Sequence, residues 1–153
     1  MVKKSLHHPE HFEEIIRRIS LLSRDAERKW GRMDAGQMLK HCSRVLEVPL
    51  GKTVLPALPF IYTAVGAFTK KEMQVFNNGI PRNMPTFRKL IINFECDFDV
   101  EKQYLLETLE KYRQHYLNGQ LPGHHALFGK MRVEDWGFLE YKHLHHHLKQ
   151  FNV

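Results

Sequence analysis

Residues 9–29 run PEHFEEIIRRISLLSRDAERK, with apolar side chains recurring every three or four positions. The apolar positions are Phe12, Ile15, Ile16, Ile19, Leu22 and Ala26. This spacing places them on one face of an α-helix, so it predicts an amphipathic helix that buries one side. Pro9 suits the first turn, where a backbone N–H has no partner inside the helix. The first predicted element is therefore a helix that packs on a core.

Three further segments show the same helical spacing. Residues 33–48 predict a second helix with Asp34 as its N-cap, followed by Pro and Gly residues that end it. Residues 99–118 predict another helix, and Gly119 follows it in the position where a glycine often ends a helix. Residues 133–151 predict the last one. The pattern indicates four substantial helices.

A long crossover separates the second of these helices from the third. Residues 49–85 are rich in Pro and Gly, and within them only residues 59–69 predict a short helix, while residues 77–85 predict a loop. Residues 90–94 predict an extended or helical connector. The crossover is longer than a minimal bundle needs, and it is either a lid over a pocket or a surface loop. The sequence thus predicts one all-α domain over residues 1–153, a four-helix bundle with a long crossover.

The composition does not favour a nucleic-acid or membrane partner. Hydrophobic residues make up 42% of the chain and charged residues 26%, as in ordinary globular domains. The formal charge of +6 comes from Lys and Arg doublets scattered among Glu and Asp, without the clustering that phosphate binding requires. The longest apolar stretch, residues 54–68, is shorter than the ~20 residues of a membrane-spanning helix. We therefore expect neither partner.

The cysteines and the first residues favour a cytoplasmic location. Cys42 and Cys96 are the only two cysteines, and neither belongs to a CxxC or zinc-finger spacing. Reduced thiols are therefore expected, although a single disulfide stays open as an alternative. The first residues, MVKKSLHHP, have no apolar core after their charges, unlike a secretory signal.

Two histidines in the last predicted helix are candidate metal ligands. His143 and His147 are four residues apart, so their imidazoles share a helix face and can bind one zinc, copper, nickel or iron ion. His41 lies on the apolar side of the second helix and points inward. Facing helices of a bundle often assemble metal sites. Together the three residues predict a three-histidine site with positions left open for water or substrate.

Such a site needs partners for the remaining ring nitrogens and a pocket beside it. The candidates for hydrogen bonds to the rings are Asp34, Gln37, Glu140 and Gln150. Trp136 falls within about 20° of His143 on the helical wheel, so it is a further candidate for the pocket. His124 and His125 precede the last helix, where either is a fourth ligand, an acid or base, or an ordinary surface histidine.

Two segments resemble the hallmark motifs of the DinB-like (DinB/YfiT-like) superfamily. Residues 30–41, WGRMDAGQMLKH, resemble its Trp and Gln-x-x-x-His pattern at the second helix. Residues 143–151, HLHHHLKQF, resemble its late His-x-x-x-His-x-x-Gln pattern. Residues 127–143 contain LFGKM, Glu134, Trp136 and YKH, and they narrow the resemblance to an uncharacterised branch, a domain of unknown function. The resemblance covers the whole chain.

The resemblance implies an up-down-down-up four-helix bundle, frequently dimeric, with a divalent metal such as zinc, nickel or iron. The ligands that it implies are His41, His143 and His147. Some members of the superfamily are metal-dependent transferases and isomerases that use low-molecular-weight thiols, and others are labelled hydrolases. The resemblance therefore implies a small-molecule substrate, a thiol as possible co-substrate, and a homodimer.

The leading hypothesis is a metal-dependent enzyme of the hydrolase or thiol-dependent transferase type. A divalent ion held by three histidines would activate water or a thiol by lowering its pKa. The alternative is a bundle whose metal only staples two helices together and which acts as a binding or interaction protein. A third interpretation, a DNA-associated protein, rests only on the charge and on the superfamily's damage-inducible name.

Overall fold

The computed structural model describes residues 3–153, and this part of the chain is mostly helical. Its five α-helices are α1 (Pro9–Leu21), α2 (Ala35–Leu46), α3 (Phe60–Phe76), α4 (Phe98–Leu117) and α5 (Val133–Gln150). A 3₁₀ turn (Arg88–Leu90) lies between α3 and α4. Two short strands, β1 (His124–His125) and β2 (Gly129–Lys130), pair antiparallel before α5, and the sequence did not predict this hairpin.

Four of the helices share one hydrophobic core. Each of α1, α2, α4 and α5 contributes fully buried residues to it, among them Ile15, Ile19, Met38, Leu39, Leu105, Leu109, Leu144 and Leu148. Burying one such side chain stabilises the fold by about 1.5–3 kcal/mol, so this cluster is the main source of stability. The core fixes α2 against α5, the two helices that contain the candidate ligands.

The first helix is shorter than predicted. It ends at Leu21, whereas the apolar spacing predicted a helix through residue 29. The side-chain amine of Lys102 donates hydrogen bonds to the carbonyls of Ser20 and Leu22, both at 2.9 Å. These bonds replace the next turn of the helix, and the chain then turns towards the end of α5, where the Lys29 N–H donates to the Gln150 carbonyl. The prediction for residues 22–29 was therefore wrong.

The second helix begins as predicted. The Asp34 carboxylate accepts a hydrogen bond from the Gln37 N–H at 2.8 Å, and the Gln37 side chain accepts one from the Asp34 N–H at 3.0 Å. This reciprocal pair is a capping box, which satisfies two backbone donors that the helix itself leaves unpaired. The cap residue Asp34 lies about two helical turns before His41.

The helix inside the crossover is longer than predicted. The sequence indicated residues 59–69, but α3 continues to Phe76. Gly66 packs so closely on the Leu127 carbonyl that a Cβ atom there would overlap it. One turn later, the Lys70 amine donates to the Lys130 carbonyl at 2.5 Å and lies 3.4 Å from an Asp135 oxygen. These contacts with the hairpin and the start of α5 hold the second half of α3 as a helix.

Two other expectations concern the membrane and the cysteines. Within residues 3–153, none of the helices is long and apolar enough to cross a bilayer. Cys42 is buried and Cys96 is partly exposed, and both are free thiols. The alternative of a disulfide between them is therefore wrong for this structure.

Candidate metal centre

The three histidines predicted as ligands lie together where α2 faces α5. The candidate nitrogens of His41, His143 and His147 all lie within 4.8 Å of one another. His41 and His147 are buried, and His143 is partly exposed. Two of the three candidate ligands are thus withdrawn from solvent.

The His41 ring is fixed by the backbone of the crossover. Its Nδ1 lies 2.7 Å from the carbonyl oxygen of Leu90. A carbonyl oxygen only accepts hydrogen bonds, so Nδ1 must carry the proton in the neutral ring. The Nε2 atom of His41 is then left with a lone pair, and it faces the other two histidines.

The His147 ring is fixed in the same way by a side chain. Its Nδ1 lies 3.0 Å from Oε1 of Gln150, and Nε2 of Gln150 donates to the Trp30 carbonyl at 2.6 Å. The bond to Trp30 determines which end of the Gln150 amide is the nitrogen, so Oε1 is the acceptor for His147. Nδ1 of His147 therefore carries the proton, and its Nε2 is free to bind a cation.

Only one of the two ring nitrogens of His143 has a partner within residues 3–153. Its Nε2 lies 3.1 Å from Nε2 of His41, whereas its Nδ1 is buried and has no hydrogen-bond partner among residues 3–153. One carboxylate oxygen of Glu140, three positions earlier on α5, is also buried without a partner in the described chain. Burial raises the pKa of Glu140 to about 8. Besides burial, its charge raises the pKa of Cys42 and of Tyr112, so the carboxyl group lies beside these core residues.

Burial lowers the pKa of all three ligand candidates. The pKa of His147 falls to about 3, mainly because the ring is desolvated, with His41 adding repulsion. Desolvation also puts the pKa of His143 well below its ordinary value, and the neighbouring rings lower it further. The pKa of His41 falls for the same reason, although its bond to Leu90 opposes this. All three rings are neutral at neutral pH, the form that binds metal ions.

The crossover covers one side of the cluster. The Lys142 amine donates to the carbonyls of Asn77 and Asn78 at 3.0 and 2.8 Å. On the opposite helix, the Gln37 amide donates to the Phe94 carbonyl at 3.0 Å. These bonds, with the Leu90 carbonyl on His41, join the crossover to α2 and α5 on both sides of the histidines. The bonds to Asn77 and Asn78 tie the end of this segment to α5, and its role as a lid or as a surface loop stays a prediction.

An arginine and a tryptophan lie at the edge of the cluster. The Arg82 guanidinium sits over the Trp30 ring at 4.1 Å, and the Trp30 ring meets His146 edge to face at 5.6 Å. His146 in turn contacts His147 at 5.0 Å and is hydrogen-bonded by the backbone of Ile80. This edge combines an aromatic surface with a positive charge beside the three rings.

The other predicted site residues lie in different surroundings. Gln37 is used in the helix cap and the crossover bond described above. The Trp136 indole donates to the Pro122 carbonyl at 2.7 Å and meets His125 at 5.5 Å. His125 accepts from the Leu127 N–H at 3.0 Å, and burial lowers its pKa to about 4. Trp136 and His125 thus support the hairpin, about 10 Å along α5 from His143.

Two groups at the site were missed by sequence reasoning. They are the carbonyl oxygens of Leu90 and Trp30, which hold His41 directly and His147 through Gln150. A carbonyl is present in every residue, so no side-chain pattern could single these two out. The motif containing Trp30 is distinctive for its indole side chain, whereas the backbone of that residue is what reaches Gln150.

Comparison with known proteins assigns the family and no activity. No curated protein and no solved structure matches the chain. A family described as "Protein of unknown function (DUF1569)" matches residues 1–153, which is the entire sequence. The chain therefore belongs to that family of proteins of unknown function, DUF1569.

Proposed function

We propose that His41, His143 and His147 bind a divalent metal ion, and that the protein is a metal-dependent enzyme of the DinB-like superfamily. The observation that carries this proposal is the convergence of three neutral imidazoles, two of which have their outer nitrogens committed to protein acceptors. That arrangement leaves lone pairs pointing inward, as a metal site requires. Zinc, nickel and iron(II) all suit such ligands.

The spacing between His41 and His143 fits this proposal, and the wider spacing within the set, up to 4.8 Å, would shorten when an ion is bound. Nitrogens bound to one tetrahedral ion at about 2.0–2.1 Å lie about 3.3 Å apart, close to the 3.1 Å between His41 and His143. Three protein ligands leave at least one coordination position for another molecule. An ion held in this way supplies a lowered pKa for a bound water or thiol, which suits a hydrolase or a thiol-dependent transferase.

Residues around the site would position the ligand rings and the substrate. The Leu90 carbonyl and Gln150 hold two of the rings at fixed angles. The Trp30–Arg82 edge is connected to the site through His146, which contacts both Trp30 and His147. We propose that a small-molecule substrate enters at that edge, in a cytoplasmic protein with the up-down-down-up bundle of the superfamily.

Elemental analysis of untagged protein tests the metal site. We expect about one divalent ion per chain in the unmodified protein and in His145→Ala, whose exposed side chain lies on the same helix. We expect almost none in the His143→Ala, His147→Ala double variant. Equal metal content in the two variants would refute the site, and circular dichroism would show that both remain helical.

A second measurement separates an enzyme from a stapled bundle, in which the metal only joins α2 to α5. Cobalt(II) bound at the site would change its visible absorption when a small thiol such as 2-mercaptoethanol occupies an open coordination position. A thiol-dependent change in the spectrum supports the enzyme. A spectrum that stays the same at saturating thiol favours the non-catalytic alternative, a binding or interaction protein.

A further inference from the structure

Helix α3 exposes an apolar face that nothing in the described chain covers. The side chains on it are largely exposed, at 58–84% of their full surface: Phe60, Ile61, Val65, Phe68, Val75 and Phe76. A helix that is apolar on its exposed side is normally buried against something. The face therefore indicates a missing neighbour.

The opposite face of α3 shows which side is already occupied. Gly66, Lys70 and Met73 are buried at intervals of three and four residues. They contact the hairpin and the start of α5, where Gly66 meets Leu127 and Lys70 lies against Asp135. At about 100° per residue, Phe68 points almost directly away from this stripe. The exposed apolar residues are consequently the outer face of a firmly held helix.

The size of this face suits a protein interface. At surface areas typical of such side chains, the six apolar residues expose roughly 700 Å² together. The largest apolar patch on a typical monomer is about 300–600 Å², and a standard protein interface buries about 800 Å² on each partner. With the adjacent parts of Lys71 and Glu72, which are also exposed, the face reaches the size of a standard interface.

The positions of Lys71 and Glu72 on this face favour a second copy of α3 as the partner. Ile61, Phe68 and Val75 recur every seven residues and form a line along α3. On the helical wheel, Lys71 lies about 60° to one side of this line and Glu72 about 40° to the other. In a parallel pair of α3 helices related by a twofold axis along their length, the Lys71 flank of each helix lies next to the Glu72 flank of the other. Lys71 of each copy then lies beside Glu72 of its partner.

We propose that α3 joins two copies of this chain into a homodimer, with the two helices side by side and parallel about a twofold axis. The apolar line of one copy packs on the same line of the other, and two Lys71–Glu72 pairs flank the contact. An antiparallel pairing would place Lys71 on the side of the partner's Lys71 instead. A membrane surface would desolvate Glu72 without supplying a cation from a partner.

The interface is independent of the metal site, so it can be tested on protein with or without metal. We expect sedimentation to give twice the 18.2 kDa of one chain for the unmodified protein. Phe68→Glu should shift the mass to that of one chain, because it places two carboxylates at the centre of the contact. Val100→Glu is the matched control, because Val100 is 63% exposed in the first turn of α4 and should leave the dimer intact. It lies about 24 Å along that helix from Tyr116, which borders Lys71 and Val75 of α3.

A charge exchange tests the arrangement of the two helices. Lys71→Glu alone and Glu72→Lys alone should each weaken the dimer at least tenfold in dissociation constant, because each creates two like-charge pairs. The double variant Lys71→Glu, Glu72→Lys restores opposite charges and should restore dimerisation. A monomeric unmodified protein, a double variant no better than the singles, or a monomer that binds anionic lipid vesicles through Phe68 would overturn the proposal.

Discussion

Nε2 of His41 lies 3.1 Å from Nε2 of His143, although the two residues are 102 positions apart in the sequence. The contact joins α2 to α5 across the core, and His147 lies against both rings. Two imidazole nitrogens this close share either a proton or a cation. The groups that hold these rings in place should therefore control how tightly the site binds a metal ion.

Gln150 should be needed for tight metal binding. Gln150→Leu removes the acceptor for Nδ1 of His147 and leaves that N–H buried and unpaired. We expect a 10–100-fold loss of metal affinity, which is typical when a partner of a ligand histidine is lost. Competition with a chromogenic chelator would measure it. Gln150→Glu keeps an acceptor oxygen and should bind metal better than Gln150→Leu, whereas equal affinities in both variants would contradict this role.

Lys142 should hold the crossover against α5. Lys142→Met removes its two hydrogen bonds to the Asn77 and Asn78 carbonyls and should cost about 1–3 kcal/mol of local stability. Hydrogen exchange followed by mass spectrometry should then show faster exchange of the amides in residues 77–82. Lys149→Met, on an exposed position of the same helix, is the control and should exchange like the unmodified protein. Unchanged exchange in Lys142→Met would show that the crossover is held by other contacts.

Glu140 should make the metal-free protein less stable as the pH rises. Burial raises its pKa in the folded protein from 4.5 to about 8, so between these values the folded state keeps a proton that the unfolded state has lost. The stabilisation is complete below pH 4.5 and declines up to about pH 8, by as much as about 1.4 kcal/mol per pH unit. The buried histidines, whose pKa values are lowered, contribute the opposite slope up to about pH 6.5, so the Glu140 contribution is isolated as a difference between two proteins. The difference in urea unfolding free energy between the unmodified protein and Glu140→Gln, both treated with chelator, should fall as the pH rises from 4.5 to about 8. A difference that stays constant over this range would show that Glu140 is not the responsible group.

Gly66 should be essential for seating α3 on the hairpin. In Gly66→Ala the new methyl group overlaps the Leu127 carbonyl, and we expect a loss of about 1–3 kcal/mol in the free energy of unfolding. Gly79→Ala is a matched control in the same crossover, because a Cβ atom at Gly79 meets nothing within 4 Å. Thermal unfolding would measure both. Equal stability of the two variants would mean that α3 moves away from the hairpin without loss.

The parts of the structure that follow from short-range signals were predictable from the sequence. The α5 helix follows from its apolar spacing, and the start of α2 follows from Asp34 with Gln37 three residues later. His143, His147 and Gln150 are spaced by four and three residues, and this spacing alone puts them on one side of a helix. Each of these features depends only on residues within a single helix or next to it.

The parts that failed depend on contacts between distant segments. The end of α1 is set by Lys102, which lies 80 positions after Leu22, and the second half of α3 is held by the hairpin. The hairpin itself has only two residues in each strand, too few for an alternating pattern to appear. The Leu90 carbonyl reaches His41 only because the crossover folds back over α2. None of these partners is marked by a local sequence pattern.

The most direct test of the three-histidine metal site is an anomalous-difference map from crystals of the untagged protein, recorded at the absorption edge of the bound metal. We predict one strong peak per chain, about 2.0–2.1 Å from Nε2 of His41, His143 and His147. A map in which the three rings hydrogen-bond to one another with no peak between them, or in which the metal is bound by other residues, would contradict the proposed site.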